Sequence, residues 1–269
     1  MVNMKTLVVG AAIAAVAATG FATPASALTT NEGLVYSVDS RVSYSASNKH
    51  ISVLRDLSGF HQDGTLEGSG VRVLKNKSAI AFTGNGGYSL SFDRHNFGAG
   101  ITVEARVDLG KVDSWERIFD FATTSAADVS YDYYGADNIL LARDGDSNNL
   151  RLDLYRGDYE FGSIYTTDEP LKGKTGLHTF TFKADESNLY LYVDGVESST
   201  WDAFWDAPGY IEAPALARPS SFIGLSNWAV YGDAPLDGKI QYLRIYNYGL
   251  DEETIIDHAT TNSKWDSLG

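Results

Sequence analysis

Residues 176–196, GLHTFTFKADESNLYLYVDGV, decide how this chain folds. His178–Ala184 and Leu189–Val193 are two runs rich in aromatic and β-branched residues, and Asp185-Glu186-Ser187-Asn188 between them supplies turn chemistry, so the pair reads as an antiparallel hairpin. Asp194-Gly195 then ends the second run with a dipeptide that tolerates positive φ, which lets a further strand fold back alongside.

Working outward, the same grammar recurs. Residues 100–109 alternate with period two: Ile101, Val103, Ala105 and Val107 share one face, expected in the core, while Thr102, Glu104, Arg106 and Asp108 share the other, expected in water. Residues 34–36, 51–57, 78–83, 88–92, 115–121, 139–142, 150–154 and 238–247 are further strand candidates. In 150–154, Leu150, Leu152 and Leu154 point inward and Arg151, Asp153 and Tyr155 outward. Gly84-Asn85-Gly86-Gly87 reads as the turn of another hairpin. Residues 250–258, with Asp251-Glu252-Glu253 at their start, read as one short helix whose acidic first turn suits its dipole. Many short antiparallel strands and no helix of domain scale imply an all-β, two-sheet sandwich.

The first 27 residues do not belong to that fold. Lys5, the apolar run 7–18 and Ala25-Ser26-Ala27 have the pattern of a secretory signal peptide cleaved after Ala27, which places the mature protein outside the cell. Residues 28–269 are long enough for a single β-domain with a large core. No second hydrophobic stretch reaches membrane length. Thirty-five acidic against 21 basic residues, a formal charge of −14, oppose binding to nucleic acid or anionic lipid. The chain has no cysteine, so its stability comes from the core and from any bound ion rather than from disulfides.

Several short motifs, in order, carry a family resemblance. They are Asp56-x-Ser58-Gly59 with Asp63-Gly64-Thr65-Leu66, Ala79-Ile80-Ala81-Phe82-Thr83-Gly84, Ile101-Thr102-Val103-Glu104-Ala105, and Trp115-x-Arg117-Ile118-Phe119-Asp120-Phe121. The hairpin ending at Gly195 follows, then Leu236-Asp237-Gly238-x-Ile240 running into Arg244-Ile245-Tyr246-Asn247. Together they resemble the laminin-G-like, concanavalin A-like jelly rolls of secreted bacterial proteins, over nearly the whole of residues 28–269. The resemblance implies a concanavalin A-like jelly roll with one short C-terminal helix. That fold hosts lectins, adhesion domains, glycoside hydrolases and lyases, so function has to come from the site.

Catalytic patterns are missing. No E-x-D-x-E strand of the glucanase type is present; Glu104, and the pair Glu116 and Asp120, read as exposed strand charges. Gly68-Ser69-Gly70 is not a nucleophile elbow, and the histidines 50, 61, 95, 178 and 258 lack metal-ligand spacing.

A calcium ion is the cofactor that the loops suggest. Asp56 and Asp63 bracket a glycine-containing turn that, in the resembling domains, holds a structural calcium with help from an acidic residue near the last strand. Here Gln241 stands where that pattern has Asp, which leaves Asp237 as the third ligand candidate. The alternative is that these aspartates only bond their own backbone. The Asp144-Gly145-Asp146-Ser147-Asn148 stretch starts like a calcium loop, but it lacks the rest of the motif and reads as a hairpin turn.

Three aromatic loops suggest a ligand. Residues 201–210 carry Trp201, Trp205 and Tyr210; residues 130–134 carry Tyr131 and Tyr133; residues 227–231 carry Trp228 and Tyr231, with Asp, Asn or Ser beside most of these rings. Sugar C–H faces pack on such rings while hydroxyls bond to such polar neighbours. The competing role is that of staples holding loops to the sandwich. The expectation is a secreted, non-enzymatic lectin-like or adhesion protein whose partner is a glycan or glycosylated surface. A polysaccharide-degrading enzyme of the same fold, and a protein-adhesion module, are the rivals.

Overall fold

The computed structural model describes residues 33–43, 51–124, 137–156, 159–166, 169–173, 175–184, 189–200, 213 and 215–266, which all lie in one compact unit, Asn31–Gly269. Residues 1–27, read from the sequence as a signal peptide, fall outside them. In chain order the strands are β1 (Leu34–Asp39), β2 (Val53–Leu54), β3 (Gly64–Gly68), β4 (Arg72–Val73), β5 (Ile80–Ala81), β6 (Gly86–Phe92), β7 (Ile101–Leu109) and β8 (Arg117–Ala122). They continue as β9 (Asn138–Arg143), β10 (Leu150–Arg156), β11 (Tyr159–Tyr165), β12 (His178–Ala184), β13 (Leu189–Val193), β14 (Val196–Thr200), β15 (Arg218–Ile223) and β16 (Gly238–Tyr246), and the chain closes with helix α1 (Glu252–Asp266).

These strands build two antiparallel sheets. The first runs β14-β13-β12-β7-β16-β5-β4, with β1 also on β16; the second runs β11-β10-β9-β8-β15-β6-β3-β2. One edge of β16 is shared: β5 pairs with Lys239 and Ile240, and β1 takes over from Tyr242 to Tyr246. The β12–β13 hairpin pairs Phe180 with Val193 and Ala184 with Leu189, as the sequence implied. Asp194 and Gly195 both take positive φ, 52° and 80°, and turn the chain into β14. That is the two-residue geometry matched to strand twist.

Between the sheets lies the apolar core. It contains the inward residues of β7 (Ile101, Val103, Ala105, Val107), Phe180 and Phe182 of β12, and Leu150, Leu152 and Leu154 of β10. Tyr36, Phe92 and Phe121 meet there, with Tyr36 edge-on to Phe121 at 5.4 Å between ring centres. Such pairs add to simple area burial.

Three expectations change. Gly84–Gly87 is not a hairpin turn: β5 belongs to the first sheet and β6 to the second, so the glycines carry the chain across the sandwich edge. A Cβ on Gly87 would stand 2.2 Å from the Ile223 carbonyl, so the backbone of β15 requires glycine there. The outer face of β7 is not wet. Thr102 and Glu104 are fully buried and Arg106 nearly so, because β7 is central: Thr102 bonds the Tyr248 carbonyl and the Leu250 N–H, Glu104 meets His258 of α1, and Arg106 donates to Thr179. Finally, α1 runs on to Asp266 rather than ending at His258, since neither Gly nor Pro interrupts it before Gly269. Asp251 caps its start, accepting from the Thr254 N–H at 2.8 Å.

β15 is a central strand despite Pro219, which has no N–H for a ladder. The register against β6 jumps between Arg218 and Ser221, and this irregularity accommodates the proline. Among the described residues no helix is long and apolar enough to cross a membrane.

Candidate functional site

The alternation within β10 projects Arg151, Asp153 and Tyr155 onto the outer face of the second sheet, opposite the core leucines. Over the same face passes the segment 226–233, which contains a short 3-10 turn at Ala229–Tyr231 closed by Gly232 in the left-handed region. Two knots fix this segment. In the first, Asp120 of β8 accepts from the Asn227 N–H at 3.0 Å and from Asn227 Nδ2 at 3.0 Å, and also from Asn138 Nδ2 at 2.7 Å. In the second, Arg117 donates to Asp233 at 2.5 Å, and Asp233 also accepts from the Ser226 hydroxyl at 3.1 Å. Burial raises the Asp233 pKa from its ordinary value, and Arg117 and Ser226 oppose that shift.

Held in this way, Trp228 lies between two tyrosines. Its ring centre is 6.3 Å from Tyr155 and 6.1 Å from Tyr231, both at an interplanar angle of 39°. Trp228 is only 6% exposed, Tyr231 is 40% exposed, and Val230 beside it is 64% exposed. Tyr231 is therefore the more exposed of the two rings, and Trp228 backs it. Farther along, Trp115 has φ of 54° and takes the guanidinium of Arg117 at 6.0 Å and that of Arg151 at 5.7 Å from its ring centre. A bulky residue at positive φ is costly and persists only where its surroundings hold it. The result is a preformed strip of aromatic surface edged with carboxylates, amides and guanidinium groups, suited to a ligand with both apolar faces and hydroxyls.

Of the aromatic residues singled out from the sequence, Trp228 and Tyr231 come together here. Trp228 has the staple role and Tyr231 the exposed one. Trp201, Trp205, Tyr210, Tyr131 and Tyr133 lie outside the described residues. Tyr155 was legible only as an outward strand residue. Asp120 and Asn227 are 107 positions apart, so their bond leaves no local signal.

The three aspartates proposed for calcium do not converge. Asp56 accepts from the Ser37, Ser58 and Gln62 N–H groups, each at 2.9 Å, and from the Ser58 hydroxyl at 2.6 Å. Asp63 accepts from the Asp56 N–H at 2.9 Å. Asp237 precedes β16, whereas Ser37, which binds Asp56, stands opposite Arg244. From position 237 to 244 an extended strand rises about 20 Å, far beyond the ~2.4 Å reach of a shared calcium. Among the described residues no group of three or more His, Asp or Glu side chains is placed to hold a metal. Gln241 donates instead to the Ser78 carbonyl at 3.1 Å, tying β16 to the approach of β5.

Nor are the candidate carboxylates exposed strand charges. Glu116 is fully buried, bound by Arg143 at 3.2 Å and by the Asp237 N–H at 2.5 Å. Glu104 is equally buried, 3.0 Å from His258 Nδ1 and 3.6 Å from Arg244.

Residues 82–256 match the family model described as the concanavalin A-like lectin/glucanases superfamily. The chain belongs to this superfamily. Solved structures with a similar fold include domain 4 of AbnA, a GH43 extracellular arabinanase from Geobacillus stearothermophilus, in complex with arabinotriose. That domain is 17% identical with a TM-score of 0.55, over 84% of this chain and 98% of the domain. The botulinum neurotoxin serotype D/C binding domain is 11% identical with a TM-score of 0.59, over 86% of this chain and 53% of that one. A botulinum neurotoxin DC binding domain in complex with SialylT is 13% identical with a TM-score of 0.57, over 86% and 52%. The chain thus spans nearly all of the arabinanase domain and about half of the toxin chains. No curated protein matches the sequence.

Proposed function

We propose that the protein is an exported, non-catalytic carbohydrate-binding protein that takes a glycan on the outer face of the second sheet, with Tyr231 as its contact ring. The observation that carries this reading is the Tyr155–Trp228–Tyr231 row, solvent-facing at one end and anchored through Asn227 and Asp233 to β8. A rigid, partly exposed ring with polar groups at its edge binds a sugar face at low entropic cost. The arabinotriose bound to the arabinanase domain supports an oligosaccharide as the ligand class, and the Ala25-Ser26-Ala27 processing pattern supports export.

A degradative role has less to work with. Glu104, Glu116 and Asp120 have no solvent-facing surface and are each consumed by internal partners, whereas glycoside cleavage needs two carboxyl groups flanking the bond. A glycan array, followed by incubation of any bound polysaccharide with assays for reducing ends and unsaturated products, tests the proposal. Retention without turnover is expected; turnover would move the protein to the enzymes.

A further inference from the structure

We infer that the Tyr231 face accepts uncharged glycans and rejects anionic ones; this rests on the carbohydrate reading above and adds the substrate class. The inference comes from the ion pairing around the aromatic strip. Among the described side chains two guanidinium groups lie there, and both are committed. Arg117, 6% exposed at its side chain, donates to Asp233 and stands 3.5 Å from Asp120. Arg151 bonds Asp153 at 2.5 Å and the Ser163 hydroxyl at 2.9 Å, with Asp144 3.9 Å away. Both also lie against the Trp115 ring. Behind them Arg143 closes on the buried Glu116.

Among the described side chains, four carboxylates, Asp120, Asp144, Asp153 and Asp233, therefore surround two arginines, and this surplus has the same sign as the −14 of the whole chain. Anionic sugars are recognised by bidentate guanidinium groups, which need a fork free to turn toward the ligand. Here each fork would have to leave a carboxylate behind, and an arriving uronate or sialate would meet a field of its own sign. A neutral pyranose or furanose has neither obstacle. Its C–H face packs on Tyr231, and its hydroxyls can donate to the outer oxygens of Asp233 and Asp144, whose side chains are 11% and 30% exposed.

The test uses polysaccharide pairs that differ in charge on one backbone: hydroxyethyl- against carboxymethyl-cellulose, methyl-esterified against de-esterified galacturonan, and arabinan and a sialylated oligosaccharide as unpaired probes. Each is immobilised and read by interferometry with the mature protein. At least one neutral member should be retained, its charged partner at least ten-fold more weakly, and the gap should narrow from 20 to 300 mM salt as screening sets in. Asp144→Asn, on a turn held by backbone bonds, should narrow the same gap at low salt by releasing Arg151 from one carboxylate. Equal or tighter retention of the charged partner overturns the charge selection. If Tyr231→Ala still abolishes that binding, the platform itself survives. Failure to retain any probe, neutral or charged, overturns both.

Discussion

His258 of α1 places Nδ1 3.0 Å from both carboxylate oxygens of Glu104, the fully buried centre of β7. The imidazole also stacks over Tyr246 at 27°, and Tyr246, Tyr192, Leu250 and Ile255 form an apolar cluster beside it. This contact docks the terminal helix on the first sheet, and Arg244 lies 3.6 Å from the same Glu104 carboxylate. His258→Ala should cost about 3 kcal/mol, because it leaves a buried carboxylate one partner short. Urea melts of His258→Ala, Glu104→Gln and the double variant check this: a coupling energy above ~1 kcal/mol is expected, and simple additivity would refute the latch.

Burial pushes Glu116 up to about 7, against the lowering effect of the Asp237 N–H and of Arg143. The folded state therefore holds a proton that the unfolded chain releases near its ordinary 4.5, and stability falls as pH rises between those two values. His95 works in the opposite sense: burial lowers its pKa, so below pH 6.5 the unfolded chain binds the extra proton and stability falls as pH falls. Subtracting the pH profile of Glu116→Gln from that of the parent isolates the first effect. The difference should slope downward from pH 5 to 7 and flatten above; a flat difference throughout would contradict the assignment.

Much of the fold was legible because pleating leaves a period-two trace. β7, β10, β12 and β13 were readable from that trace alone, and Asp194-Gly195 announced its turn. Alternation reports the pleat and not exposure, however, so Thr102, Glu104 and Arg106 read as wet although residues 248–250, His258 and Thr179 partner them. Glu116 and Asp120 misled for the same reason. β15 was hidden by Arg-Pro-Ser-Ser, a composition that suggests a loop, and only the irregular register at Pro219 shows why it pairs. At the site, the composition around Trp228 was visible, but its burial was not, because the partners Tyr155 and Asp120 come from distant strands.

The Asp56 carboxylate is a hydrogen-bond knot whose acceptors are already filled by three N–H groups and a hydroxyl. Asp56→Ala should therefore cost about 3 kcal/mol, leaving several buried donors unpaired. Melting curves in chelator and in millimolar calcium should coincide. A calcium-dependent rise in melting temperature that Asp56→Ala removes would restore an ion to this loop.

Trp228 is the staple of the aromatic row. Trp228→Ala should lower stability by about 3 kcal/mol, at the lower end for a large buried ring because Tyr155 and Tyr231 can close partly over the gap. Thermal and urea melts read the loss directly. A change under ~1 kcal/mol would mean that the segment 226–233 is held by the Asn227 and Asp233 knots alone.

Tyr231 is the ring that the proposed function depends on, so the decisive measurement is the affinity of the parent and of Tyr231→Ala for the best neutral glycan from the array. At least a ten-fold loss is expected with a melting temperature within about 2 °C of the parent, since an exposed ring contributes little to the core. Undiminished binding by Tyr231→Ala would place the glycan elsewhere on the molecule and contradict the site.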